Sequence, residues 1–157
     1  MSQTTLDIKE PGLNVLPPGV ERHVVNAGGL TGLQIFPDDE IEIINDEGNQ
    51  ICEIVCFDKD GKSELGILNQ KENGKKSFIK EILNKKDESS LVTNLQLKKR
   101  NLDINRSKSS ILFDEKTPSG EKIKIKSKDK CYVIFSAPQN DMLVSEQNPS
   151  SDLTIFI

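Results

Sequence analysis

Cys52 and Cys56 stand four residues apart in the run GNQICEIVCF (48–57), with Glu53 between them. Two thiols beside a carboxylate are the raw material of a metal or redox site. Whether they can act as one depends on the backbone. The run is apolar and flanked by turn residues, which predicts a strand, where side chains two and four apart share a face. Four residues then span about 13 Å, and a disulfide needs Cα atoms within about 7 Å, so this pair neither chelates one ion nor crosslinks. Both cysteines read as core sulfur, the other reading being that one lines a pocket with partners from elsewhere. Cys131, in KCYVIF, is read the same way. Glu53 shares its face with Ile51, Val55 and Phe57. A carboxylate in such company is paired or raised in pKa, unless it sits in solvent at a sheet edge.

The remaining chemistry-bearing residues offer less. His23 is the sole histidine, so zinc sites built from His pairs are excluded, and its polar, Pro-rich surroundings make it a surface residue. AGGLTG (27–32) resembles a dinucleotide loop, but LQIFPDD follows where such a loop must open a helix, which rules the cofactor out. Lysines 122, 124, 126 and 128 line one face of an alternating run, and LKKR (97–100) adds a second basic spot. Without interleaved aromatics this is a solvated sheet face, with a docking surface as the second reading. SAPQNDM (136–142) joins two strands and presents Asp141 and Gln139 on a loop.

These residues must be positioned by one domain, since 157 residues suffice for a single core without staples. Hydrophobic residues are 34% and aromatics only 4%, so the core must be mainly Ile, Leu and Val, which favours strands. A formal charge of −4 argues against binding nucleic acid through general electrostatics. Three cysteines without dense spacing fit a reducing, cytoplasmic compartment, and no apolar run approaches the ~20 residues that span a bilayer.

Pro11, Pro17 and Pro18 mark residues 1–19 as an extended lead-in to a single β-rich domain, 20–157. LQIF, EIEII and ICEIVCF read as strands, the last two linked as a hairpin through NDEGNQ. KKSFIKEILNKK (75–86) spaces its apolar residues as a short amphipathic helix. Residues 87–110 read as a strand plus an exposed loop. SSILF, EKIKIKSK, KCYVIF and DLTIFI add four strands. The whole predicts a mainly β fold, an antiparallel sandwich or partly closed barrel with one short amphipathic helix. The apolar end at Ile157 predicts a domain whose downstream part is missing.

Three segments together carry a resemblance. INDEGNQICEIVCF, the closing VIFSAPQNDMLVSEQNPSSDLTIFI and the opening LPPGVERHVVNAGG are similar to segments of the urea carboxylase-associated protein family. The form resembled is the N-terminal domain of aminomethyltransferases of the glycine-cleavage T-protein type. About half the chain is covered, at both ends, and residues 61–110 do not match. Stand-alone relatives in that family act on carboxyguanidine through a central His-Asp and Cys segment able to hold a metal, which is missing here. The resemblance therefore implies a non-catalytic accessory or ligand-binding domain in tetrahydrofolate-dependent one-carbon metabolism. Its partner would be a downstream catalytic domain or subunit holding tetrahydrofolate, with no cofactor or metal in this domain and no nucleic acid or membrane. At the family's polar positions, Gln50, Glu53, Asp141 and Asp152 would bind a small cationic amine. The alternatives are a metal-dependent hydrolase or deiminase of a small amidine, and a pure protein-interaction module.

Overall fold

The computed structural model describes residues 18–73, 78–85, 87–139 and 150–157. The lead-in, apart from its last two residues, and Asp141 lie outside the described residues. Among the described residues are eight strands: β1 (Arg22–Val25), β2 (Leu30–Ile35), β3 (Glu40–Asn45), β4 (Cys52–Asp58), β5 (Ser109–Leu112), β6 (Glu121–Lys126), β7 (Cys131–Ser136) and β8 (Leu153–Phe156). They form two antiparallel four-stranded sheets, in the orders β1-β8-β3-β6 and β2-β7-β4-β5. The mainly β architecture is as the sequence predicted, and of the two forms it left open, antiparallel sandwich or partly closed barrel, the sandwich is the one present. The strand order is that of a jelly roll, in which every connection except β4 to β5 crosses between the sheets.

That crossing corrects the predicted hairpin. NDEGNQ does turn the chain, with Gly48 and Asn49 at positive φ, but it carries β3 into one sheet and β4 into the other. β3 pairs instead with β6 and β8. β1, which the sequence did not announce, pairs with β8 in register Val25↔Leu153.

Two helices fill the excursion between β4 and β5: α1 (Phe78–Leu83), within the predicted helical segment, and α2 (Glu88–Lys99). α2 replaces the strand and loop expected for 87–110. Asp87 starts it, its Oδ1 accepting from the Ser90 amide at 2.9 Å, and Ser90 Oγ donates to the Ile82 carbonyl at 2.6 Å, tying α2 to α1.

The result is three layers with two cores. Between the sheets lie Val25, Ile35, Ile41, Ile43, Cys52, Ile54, Cys56, Val133, Phe135 and Ile155. Beneath the helices, on the other face of the second sheet, lie Leu30, Val55, Phe57, Ile79, Ile82, Leu97, Tyr132 and Ile134. β4 and β7 are covered on both faces, which is why ICEIVCF and CYVIF are nearly unbroken apolar runs instead of alternating ones. β6 is an edge strand whose lysines face solvent and whose Ile125 faces the core, an arrangement that discourages pairing with other chains.

Candidate functional site

The sulfurs of β4 belong to packing. Cys52, Cys56 and Cys131 are free thiols, each at most 1% exposed. Burial pushes Cys52 up to about 12, far from the thiolate needed for nucleophilic or metal chemistry. Cys56 is pushed up first by the hydrogen it shares with Cys131 and then by burial, while the same bond draws Cys131 down. Among the described residues no three His, Cys, Asp or Glu side chains are grouped so as to hold a metal ion. His23, on β1, lies 2.9 Å from Glu21.

Glu53 points to the helical layer, not between the sheets, on the same face as Val55 and Phe57. It is completely buried, and its oxygens accept from the amides of Ile79 at 2.7 Å and Phe78 at 3.3 Å, the first residues of α1. The carboxylate of one strand thus accepts from the first described amides of the helix packed on it, where negative charge favours a helix start. Burial raises its pKa, against the opposing pull of these donors, of Ser109 and of the Lys80 charge. The sequence located this acid in apolar surroundings; it did not reveal the helix end that receives it.

Gln50 is equally buried and spans the end of the sandwich. Its Nε2 donates to the carbonyls of Ile51 (2.8 Å) and Pro138 (2.7 Å), and its Oε1 accepts from the Ser151 amide at 2.8 Å. Asp152 next to Ser151 is exposed and accepts from the Ala27 amide at 2.7 Å. Gln50 and Asp152 are thus brought to one end of the molecule, where they fasten the start of β8, while Glu53 lies apart beneath α1. The side-chain Oδ1 of Asn45, whose Nδ2 donates to the Gln50 carbonyl at 2.7 Å, and the Ser151 hydroxyl are buried there without a partner among the described residues.

A second constellation met the sequence reading only at Arg100, within the basic spot LKKR (97–100). At the C-terminal end of α2, the Arg100 guanidinium lies 4.4 Å from the centre of the Tyr132 ring and donates from Nη1 to Gln34 Oε1 at 2.7 Å. Gln34 is held in turn by its Nε2, which donates to the Cys131 carbonyl at 2.8 Å. Tyr132 is 5% exposed and seated over Gly32, where any Cβ would lie 2.0 Å from the phenol oxygen, so only glycine admits the ring. Burial raises the Tyr132 pKa, and the nearby Arg100 charge opposes that rise. These residues border a cavity of about 310 Å³, also lined by Asp58, Asp60 and Lys130. Residues 34, 100 and 132 come from three separate elements, and no local pattern links them.

No family model matches the chain. A trimethylamine-oxide aldolase of Ruegeria pomeroyi is 33% identical over 150 residues, which is 96% of this chain and 19% of that protein. The chain thus spans about a fifth of the length of the curated relative it matches. The match overturns the expected kinship with the urea carboxylase-associated family and with aminomethyltransferases: the protein similar over almost the whole chain bears an aldolase's name, and the fragments behind that expectation covered only about half of it. The amidine hydrolase and the pure interaction module also gain no support from it.

Proposed function

We propose that this chain is a β-sandwich unit of a protein that cleaves trimethylamine oxide, as the name of its relative states. The observation carrying this reading is 33% identity over 150 residues, 96% of the chain. An aldolase releases an aldehyde, and the one aldehyde obtainable from an N-methyl group is formaldehyde. Trimethylamine oxide then yields dimethylamine and formaldehyde. One C–H bond, one C–N bond and the N–O bond break, a C=O bond and an N–H bond form as the methyl hydrogen passes to nitrogen as a proton, and nitrogen gains the two electrons that carbon loses, so no outside oxidant is required.

Within that reaction the unit's own part is structural and recognitive. Its three thiols are packed and Glu53 is engaged with α1, so the bond-breaking groups are assigned to the part of the protein corresponding to the rest of the relative's length, whether in the same polypeptide or another. That part is the partner implied. Among the described residues no helix is long and apolar enough to cross a membrane, and three unpaired buried thiols suit the reducing cytoplasm where we place the protein.

The test is to incubate the purified protein with trimethylamine oxide, alone and together with the polypeptide region that the relative possesses beyond this match. Formaldehyde and dimethylamine in equal amounts, only when both parts are present, is the expected result. Absence of both products in every combination would overturn the reading.

A further inference from the structure

We propose that the cavity at the C-terminal end of α2 is a binding site for a small zwitterion carrying an oxyanion next to a methylated ammonium, the amine N-oxides being the class. This rests on the function proposed above for its choice of ligand, though not for the existence of the site.

The argument begins with Arg100. Its guanidinium is fixed in place by Gln34 and the Tyr132 ring, not by a carboxylate, and among the described residues no ion pair includes it. A guanidinium has five N–H donors in one plane, and a single one is spent on Gln34. The others have no hydrogen-bond acceptor among the described residues. Lys130, whose ammonium lies 5.8 Å from the Phe36 ring centre, adds a second cation to the same lining.

The same lining includes Asp58 and Asp60. Asp58 gives one oxygen to the amides of Asp60 and Lys62, both at 2.9 Å, and its other oxygen takes no hydrogen bond among the described residues. The mixture decides the ligand. A simple anion would meet two carboxylates, and a simple cation would meet Arg100, Lys59 and Lys130. A molecule bearing both charges on adjacent atoms answers both, its oxygen accepting from Arg100 and its methylated nitrogen turned toward the carboxylates. A volume of about 310 Å³ is at the small end of ligand cavities, suited to a compact molecule of this kind. The charges face solvent, so affinity should be in the millimolar range.

Trimethylamine oxide near molar concentration stabilises folded proteins by exclusion from their surfaces, so a thermal shift would not identify a site. The experiment is a titration of the isotopically labelled chain by backbone amide NMR, with trimethylamine oxide up to about 20 mM. Tetramethylammonium, of the same shape but with a methyl in place of the oxygen, serves as the comparison. Saturable shifts confined to the amides of Asp60, Gly61, Asn101 and Leu102 are expected, at least about tenfold weaker with tetramethylammonium and in Arg100→Gln, and unchanged in Lys126→Gln. Shifts that do not saturate, that are equal for the two ligands, or that survive Arg100→Gln would overturn the proposal. Formaldehyde release without this binding would sink the site and leave the function; binding without formaldehyde release would uphold the site and sink the function.

Discussion

Glu53 shows how one side chain couples the acid–base chemistry of the molecule to its folding. Burial raises its pKa in the folded state above the 4.5 of an exposed glutamate, so between those two values the folded chain holds a proton that the unfolded chain has released. Stability from this group is therefore complete below about pH 4.5 and declines as pH rises through the raised value, after which it levels off. Glu53→Gln should remove that decline. Urea unfolding midpoints followed from about pH 4 to 8 would show the wild type losing stability more steeply than the variant over the lower part of the range. Parallel curves would mean that the carboxylate titrates as it does in the unfolded chain. The apolar side chains two positions away on either side of Glu53 were legible, because alternation along a strand is local, but they left burial and a solvated sheet edge both open, and the structure decides for burial. Its engagement with the amides of Phe78 and Ile79 was not, because it depends on a helix 25 residues onward. Arg100, Gln34 and Tyr132 were illegible for the same reason on a larger span.

At the scale of elements, every strand but β1 announced itself, and α2 did not. EKIKIK alternates because β6 has one wet face, and ICEIVCF is continuous because β4 has two dry ones; both patterns can be read without coordinates. α2 instead buries Ser90, Thr93 and Leu97 and leaves Leu91, Val92 and Leu95 more than half exposed, which inverts the pattern by which a helix is recognised. With so little apolar burial, its start depends more than usual on its cap. Asp87, whose carboxyl is held below the usual range mainly by the amide and hydroxyl of Ser90, supplies it. Asp87→Ala should cost about 1 kcal/mol, visible as a lower urea midpoint and faster amide exchange in the first turn of α2, whereas Asp87→Asn should cost less. Equal losses for the two would shift the explanation from capping to charge. The turn NDEGNQ teaches a related lesson: Gly48 and Asn49 specify a reversal, but the same reversal serves a hairpin or a passage between sheets, and only the pairing of β3 with β6 and β8 distinguishes them.

For the whole molecule, the position of β8 matters most. It lies between β1 and β3, with Leu153 and Ile155 wholly enclosed, and the backbones of Glu21 and Ile157 exchange hydrogen bonds of 2.8 and 3.0 Å. The apolar sequence at Ile157 is thus accounted for by an interior strand. Removing residues 153–157 should leave β1 with no neighbour and open the core between the sheets, abolishing cooperative unfolding and making the chain readily digested by protease. A truncated chain that still melts cooperatively would show that the second sheet and its helices stand alone. Vectorial synthesis adds a timing constraint: of the eight described strands the ribosome delivers β1 first and its one companion in the sheet, β8, last, so this sandwich stays half ungathered until β8 clears the exit tunnel.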